Sequence, residues 1–321
     1  MTEPTSIHHT FDASLVDARQ LATGSFSSTE TNTSNSSTEP KKKSPDKRMY
    51  PASAQPFTSV PTNQLYDTWA ATYDTDGNIL QAVDDLRLQA LLPEFVRLGC
   101  QSLTSRASWS ERADSLRILD FGCGTGRNTL KLLQADWNAE KMAGSRVVEI
   151  QGWDASASML EVAREKCSAQ DAAQNVTLHG FEQTDFSHAS WIPQKYLSSF
   201  DGIVSTLVLE HLPLETFFGL LSSLLKPGGV ALVTNMHADM GRVTQAGYKT
   251  EGGVRVKGQS FAHTVEESVQ AAQKAGLEIV DEIRQAAVEE AMLRQGQVGD
   301  RGKKWLGINV WYGFIVKKKA A

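Results

Sequence analysis

Residues 116–128 read L-R-I-L-D-F-G-C-G-T-G-R-N and constrain the fold more than any other stretch of the chain. A short apolar run ends in a glycine-rich turn, and apolar residues then recur at helical spacing over residues 129–133. A strand, a tight glycine turn and a helix form the opening unit of a doubly wound α/β domain. Ligands of such sheets bind outside the carboxyl ends of the strands, so this turn is predicted to border a ligand site.

The spacing of the glycines distinguishes between classes of ligand. The dinucleotide fingerprint G-x-G-x-x-G needs a third glycine three places after the second, and Arg127 and Thr129 stand at the two places where it would fall. A pyrophosphate cofactor, as in an NAD-dependent oxidoreductase, is therefore disfavoured. The pattern from Asp120 to Gly126 is instead D-x-G-x-G-x-G. It resembles motif I of the class I S-adenosylmethionine-dependent methyltransferases.

Other segments agree with this resemblance. Asp154 ends the second predicted strand, where an acid can accept two hydrogen bonds from a ribose diol; the alternative is a helix N-cap. Asp185 and Phe186 follow the third strand and suit an adenine amine and ring nitrogen. Met159 either packs on adenine or fills the core. Residues 200–212 and 226–229 resemble the family's fourth-strand and fifth-strand motifs. The resemblance covers about residues 64–316.

The resemblance implies S-adenosylmethionine as cofactor and an aromatic lid helix at residues 66–73. Tyrosine faces of this lid could stabilise the sulfonium by cation–π contact, whereas Trp69 fits a packed helix face better. The residues expected to bind the cofactor are Tyr66, Tyr73, Asp120, Gly122, Cys123, Gly124, Gly126, Asp154, Ala155, Met159, Asp185, Phe186 and Thr206.

Histidines are the candidate proton acceptors. His211 follows the fourth predicted strand and His237 ends the fifth, both on the ligand side of the sheet. These two are the catalytic candidates, although a structural histidine is the commoner case for each. His263 precedes a capping box, T-V-E-E, and is expected to be structural.

Composition excludes several classes of protein. The net charge of −5 argues against a nucleic-acid substrate, which favours a basic face. Three cysteines without a C-x-x-C suit neither a disulfide framework nor a metal site, and none is predicted. No apolar run is long enough for a membrane span, and the first residues do not resemble a secretory signal. A cytoplasmic location is expected, with nuclear import through the basic cluster at 41–48 as the alternative.

The chain divides into two parts. Residues 1–60 are rich in Ser and Thr and poor in apolar residues, which predicts a disordered tail. Residues 61–321 form the predicted methyltransferase domain, with lid helices at about 63–98, the second of them ended by Gly99. Alternating strands and helices predict a single doubly wound α/β domain, with a mostly parallel seven-stranded sheet and helices on both faces. A hairpin is expected around residues 252–253.

The expected function is methyl transfer to a small, hydrophobic or aromatic organic molecule. The resemblance is closest to the small-molecule branch of the family, which includes ubiquinone/menaquinone-type and fungal specialised-metabolite methyltransferases. The chain would then act in secondary metabolism. The alternative is a nuclear, methyltransferase-like regulator of secondary metabolism that acts through protein partners, as in some fungal proteins of similar appearance. The acceptor atom and the oligomeric state are left open by the sequence.

Overall fold

A computed structural model describes residues 57–104, 115–137, 147–186, 192–249 and 254–320. The predicted tail up to residue 56, including the basic cluster at 41–48, lies outside the described residues.

The strands of the described residues are β1 (Phe57–Ser59), β2 (Ser115–Phe121), β3 (Val147–Asp154), β4 (Val176–Gln183), β5 (Phe200–Thr206), β6 (Leu225–Met236), β7 (Gly247–Lys249), β8 (Arg255–Lys257), β9 (Leu277–Ile279), β10 (Arg284–Ala287) and β11 (Asn309–Lys318). The α-helices are α1 (Thr62–Trp69), α2 (Ile79–Thr104), α3 (Arg127–Gln134), α4 (Ala157–Ser168), α5 (Leu214–Leu224), α6 (Ala238–Gly241), α7 (Val265–Lys274) and α8 (Glu290–Arg294). Within this part of the chain, no helix combines the length and apolar character that crossing a membrane requires.

The main sheet has the strand order β4-β3-β2-β5-β6-β11, and β9 and β10 both pair with the outer edge of β11. The five adjacent strands β4, β3, β2, β5 and β6 run parallel to one another, whereas β11 runs antiparallel to its neighbours. The predicted doubly wound, mostly parallel sheet is confirmed, but it has eight strands instead of seven. The sequence also predicts a strand over residues 277–283, but β9 ends at Ile279. A bend follows, in which Asp281 forms an ion pair with Arg284, the first residue of β10.

Apolar residues of the strands alternate between two buried clusters. Ile118 belongs to the cluster that also contains residues of α2 and α3, whereas its neighbour Leu119 belongs to the cluster with residues of α5 and α7. Successive side chains of a strand point to opposite faces of a sheet. Both faces are therefore covered by helices, as predicted.

Helix α2 is longer than predicted. A glycine commonly ends a helix, but α2 continues through Gly99 to Thr104. Beyond Gly99, the Cys100 side chain is buried, and its thiol donates to the Trp137 carbonyl at 3.5 Å. Burial of Cys100 favours continuation of the helix, which the local sequence does not reveal.

A second, three-stranded sheet lies beside α1. Strand β1 pairs in parallel with β8, and β8 pairs antiparallel with β7. The β7–β8 hairpin agrees with the predicted one, although residues 250–253 at its tip lie outside the described residues. Leu65 of α1 packs with Tyr248 and Val256 of this hairpin. Strand β1 lies in the last residues of the segment predicted as tail, so ordered structure begins before residue 61.

Two deletions test the contribution of β1. Removing residues 1–56 should leave the melting temperature unchanged. Removing residues 1–60 also deletes the pairing of β1 with β8, and a few lost backbone hydrogen bonds should lower the free energy of unfolding by about 1 to 3 kcal/mol. Denaturant unfolding of both truncated proteins measures the difference. Equal stabilities would show that β1 contributes nothing to the fold.

Candidate functional site

The loop between β2 and α3 depends on its three glycines for different reasons. A Cβ at Gly122 would lie 2.2 Å from Cγ2 of Val208, and a Cβ at Gly126 would lie 3.1 Å from Cβ of Ala163 on α4. Gly124 has φ of +53°, in the left-handed region, and a Cβ there would meet no atom within 4 Å. Gly122 and Gly126 therefore allow close packing of the loop, whereas Gly124 faces open space.

Asp120 anchors this loop from beneath. The side chain is 1% exposed and accepts a hydrogen bond from Oγ1 of Thr129 at 2.6 Å. Burial raises the pKa of Asp120 to about 6. Asp120 does not line the cavity described below, and neither does Gly126, the N-cap of α3. Both residues were predicted to bind the cofactor, but the structure places Asp120 beneath the loop and packs Gly126 against α4, away from the cavity.

Asp154 at the end of β3 lies across from the loop. One carboxylate oxygen accepts from the N–H of Gly124 at 2.8 Å, and the other accepts from the N–H of Ser156 at 2.9 Å. Burial raises its pKa, and these backbone donors oppose the increase. The N-cap of α4 is Ser156, whose Oγ accepts from the Met159 N–H at 3.1 Å. Asp154 is thus not the helix cap and stays available to a ligand's hydroxyl groups.

A cavity of about 670 Å³ opens at the carboxyl ends of β2, β3 and β5, within the roughly 300–1,000 Å³ typical of small-molecule sites. The predicted residues that line it are Tyr66, Tyr73, Gly122, Cys123, Gly124, Asp154, Ala155, Met159, Asp185, Phe186, Thr206 and His211. The structure therefore brings together one predicted base and all predicted cofactor residues apart from Asp120 and Gly126.

Residues 184–186 form the wall beyond Asp154. The N–H of Thr184 donates to the Asp154 carbonyl at 2.8 Å, which holds Asp185 and Phe186 beside the end of β3. The Phe186 ring lies 4.2 Å from that of Phe121, centroid to centroid. Met159 is 1% exposed but still lines the cavity, so its core and ligand interpretations are compatible.

The lid consists of α1 and the following turn, and two acidic side chains fasten it over the cavity. Asp67 accepts from Oγ of Ser156 at 2.6 Å and from the N–H of Ser158 at 3.2 Å. Asp74 accepts from Oγ1 of Thr125 at 2.7 Å and forms an ion pair with Lys166. The lid is thus tied to α4 on one side and to the glycine loop on the other.

Three aromatic rings form the inner surface of the lid. Tyr73 meets Tyr66 and Trp69 edge to face, with centroids 5.7 and 5.2 Å away. Trp69 is buried, donates its Nε1–H to Asp76 and does not line the large cavity, as expected for a packed helix face. Burial raises the pKa of Tyr66 and of Tyr73. Both phenols are therefore protonated at neutral pH.

His211 meets the lid at Tyr66. Its Nδ1 lies 3.0 Å from the Gln259 carbonyl, and its Nε2 lies 2.8 Å from the Tyr66 hydroxyl. A carbonyl only accepts, so Nδ1 carries the proton in the neutral ring and Nε2 accepts from Tyr66. Burial lowers the pKa of His211. His211 is thus neutral at physiological pH, with its basic nitrogen directed at the Tyr66 hydroxyl.

The other two candidate histidines hold local structure. His237, the second catalytic candidate, does not line the cavity. Its Nδ1 caps α6 by accepting from the Asp239 N–H at 3.0 Å, and its Nε2 lies 3.0 Å from Oε1 of Gln285. Both ring nitrogens are engaged outside the cavity. His263 donates from Nε2 to the Leu212 carbonyl at 2.9 Å beside the capping box of α7, which is present as predicted.

Two residues in or near the site were not singled out by the sequence. Arg127 lines the cavity and forms ion pairs with Asp84 and Asp85 of α2. Glu210 is a buried acid within an apolar segment, which is the sequence signal that marks it. In the ranges that the structure describes, no group of His, Cys, Asp and Glu is arranged to hold a metal ion.

Comparison with known proteins identifies the family. A methyltransferase-domain profile matches residues 119–231. An uncharacterized methyltransferase of Emericella nidulans is 38% identical over 266 residues, covering 79% of this chain and 90% of that protein. The chain belongs to the class I S-adenosylmethionine-dependent methyltransferases. Its cofactor is S-adenosylmethionine, as predicted.

Solved structures also resemble this methyltransferase. An S-adenosylmethionine-dependent methyltransferase from Methanosarcina mazei is 17% identical with a TM-score of 0.46, and the match covers 65% of this chain and 95% of that one. A putative methyltransferase from Listeria monocytogenes is also 17% identical with a TM-score of 0.43, covering 64% and 90%.

The residues present fit this cofactor. Gly124 leaves the space that an adenosyl group needs against the loop, and the Asp154 carboxylate suits a ribose diol. Asp185 and Phe186 lie farther along the same wall. Tyr66 and Tyr73 close the other side with aromatic faces that suit a sulfonium cation.

Replacing Gly124 by Val tests the position of the cofactor. The branched side chain would enter the cavity from a left-handed backbone position, and we expect binding of S-adenosylhomocysteine, measured by calorimetry, to weaken by about 100-fold or more, which is roughly 2.7 kcal/mol. Gly276→Val is the control, because it has a similar φ of +80° and no cavity contact. The wild-type protein should not bind NAD. Unchanged affinity in Gly124→Val would place the cofactor elsewhere.

Proposed function

We propose that this methyltransferase transfers a methyl group to a small, hydrophobic or aromatic organic acceptor. The observation that carries the proposal is the charge of the cavity wall. Among the described lining residues, Arg127 is the one Lys or Arg, and its guanidinium nitrogens lie 2.5 Å from Asp84 and 2.6 Å from Asp85. In the part of the wall that the structure describes, no Lys or Arg is left unpaired to bind a phosphorylated acceptor.

The part of the wall that faces the glycine loop supports the same interpretation. Leu207, Val208 and Leu212 follow β5, and Pro61 and Tyr66 lie at the lid. These side chains offer an apolar surface with an aromatic face, which favours an acceptor whose body is itself apolar.

Alignment of the reactants is the main contribution of the protein to the chemistry. S-adenosylmethionine supplies an activated methyl group on a sulfonium. The glycine loop and Asp154 fix one reactant and the apolar wall fixes the other, and such orientation can lower the barrier by several kcal/mol. The tyrosine faces of the lid add about 0.5 to 2 kcal/mol of cation–π stabilisation.

Tyr66 and His211 provide a route for the acceptor's proton. Because the Tyr66 hydroxyl donates to Nε2 of His211, Tyr66 can take a proton from the acceptor while its own proton moves to that nitrogen. The acceptor's lone pair forms the new bond to the methyl carbon as the bond to sulfur breaks. The Gln259 carbonyl holds Nδ1 in the protonated form that this transfer requires.

A cytoplasmic location and a role in secondary metabolism remain predictions from the sequence. The nuclear regulatory alternative predicts stable capture of protein partners without turnover of small molecules.

A labelled-donor screen tests the proposed function. The enzyme is incubated with methyl-labelled S-adenosylmethionine and a metabolite extract that has been fractionated by polarity. Label should enter apolar or aromatic products and be absent with Gly124→Val. Label confined to phosphorylated products would contradict the acceptor class, and binding of protein partners without any labelled small molecule would favour the regulatory alternative.

Substitutions at Tyr66 and His211 test the proton route. His211→Ala and Tyr66→Phe should each lower turnover by about 100-fold, within the usual 10²- to 10⁴-fold range of general base catalysis. The double variant should be no slower than either single variant, because both residues serve one transfer. Affinity for S-adenosylhomocysteine should change little, since Tyr66→Phe keeps the ring.

The pH profile gives a second measurement. The lowered pKa of His211 predicts a wild-type rate that rises with pH below about 6.5 as the ring loses its proton, then becomes level. His211→Ala should remove this rise. The control is His179→Ala, at an exposed position on β4. Normal turnover with an unaltered pH profile in His211→Ala would exclude the base role while leaving methyl transfer intact.

A further inference from the structure

A second, smaller cavity adjoins the large one behind the lid. It has a volume of about 30 Å³, close to the volume occupied by one water-sized group. Tyr66, Tyr73 and Leu207 line both cavities. The two cavities are therefore neighbours separated by these three side chains.

Three residues that line the small cavity each carry a buried polar atom without a hydrogen bond. These atoms are Oε2 of Glu210, Oγ1 of Thr244 and Oγ of Ser260, and none has a partner among the residues that the structure describes. Glu210 is 5% exposed and Thr244 is 4% exposed. Buried polar atoms normally have partners, and the presence of three around one small space indicates a ligand group.

The charge at this position favours a cation. Burial raises the pKa of the Glu210 carboxyl to about 7, and the Glu210 N–H donates to Oδ1 of Asn235 at 2.9 Å. No Lys, Arg or His is among the described residues that line the small cavity. A buried carboxylate without a counter-ion costs free energy, which a bound cation offsets.

A primary ammonium group fits these features best. It has three N–H donors, and the cavity offers one free carboxylate oxygen and two hydroxyl oxygens. Tyr66, Trp69 and Tyr73 add aromatic side chains, whose faces attract an ammonium ion. A neutral hydroxyl has a single donor and no charge to match the carboxylate. Calcium needs six to eight oxygen ligands, more than these three side chains supply.

We infer that the small cavity is an anchor site for a primary ammonium group of the acceptor, with Glu210 as its counter-ion and Thr244 and Ser260 as further ligands. This inference rests on the proposed function. The ammonium group enters the small cavity while the apolar body of the acceptor stays against Leu207 in the large one. Glu210 thus determines which small molecules are held beside the methyl donor.

A pair of matched probes tests the inference. 2-Phenylethylamine and 2-phenylethanol differ only in the ammonium and hydroxyl groups, and their affinities are measured by calorimetry on protein saturated with S-adenosylhomocysteine. The amine should bind at least about tenfold more tightly, the equivalent of a pairing worth 1.4 kcal/mol. Glu210→Gln should remove this preference and leave the alcohol's affinity unchanged. Thr244→Val should weaken amine binding to a smaller extent.

The controls separate this inference from the proposed function. Glu210→Gln and Thr244→Val should bind S-adenosylhomocysteine normally, which also shows that they fold. Equal affinities of the amine and the alcohol, or absence of amine binding, would overturn the inference; a water molecule enclosed in the fold would then be the occupant. An amine preference that survives Glu210→Gln would also overturn it. None of these results affects labelling of an apolar acceptor, which tests the proposed function separately.

Discussion

The buried ion pair between Asp84 and Arg127 is the interaction on which the rest of the site depends. Asp84 has no exposed surface, and one of its oxygens accepts from Oγ1 of Thr234 at 2.7 Å and from Nε1 of Trp311 at 2.8 Å. The other oxygen accepts from Arg127 at 2.5 Å. This carboxylate joins α2, β6, β11 and the first residue of α3. Loss of one member of a buried pair typically costs about 3–5 kcal/mol, because the remaining charge is left uncompensated. The glycine loop ends at Gly126, directly before Arg127. The ion pair of Arg127 with Asp84 therefore fixes the position of the end of the loop.

Polar contacts of a few side chains also hold the lid in place. Asp67 and Asp74 tie it to the N-terminus of α4 and to the glycine loop, and Tyr66 ties it to His211. These contacts place Tyr66 and Tyr73 between the two cavities. The two rings line the large cavity on one side and the small cavity, which contains Glu210, on the other. The small sheet supports this arrangement from outside, since β1 leads directly into α1 and Leu65 packs against the β7–β8 hairpin.

Most of the fold could be predicted from the sequence where local signals are strong. The glycine loop, the start of α3 and the capping box of α7 follow from residue types at fixed spacing, and the alternation of strands and helices gives the doubly wound sheet. The prediction was wrong where distant contacts override local preference. Gly99 does not end α2, because Cys100 is buried against Trp137. The strand predicted over residues 277–283 ends at Ile279, and β9 and β10 are each held by pairing to β11, whose partners no local pattern reveals.

For the site, the sequence by itself determined the chemistry of the cofactor wall. Asp154, the glycines and Asp185 lie at the ends of parallel strands, and strand order alone brings those ends together. Only the tertiary structure decided which histidine faces the cavity, because His211 and His237 follow the neighbouring strands β5 and β6 at the same edge of the sheet. It also decided the pairing of Arg127 with Asp84 and the position of Glu210 beside Thr244 and Ser260. These residues lie far apart in the chain, and their side chains meet only once helices, lid and sheet have packed, so no periodicity or spacing could record the contact.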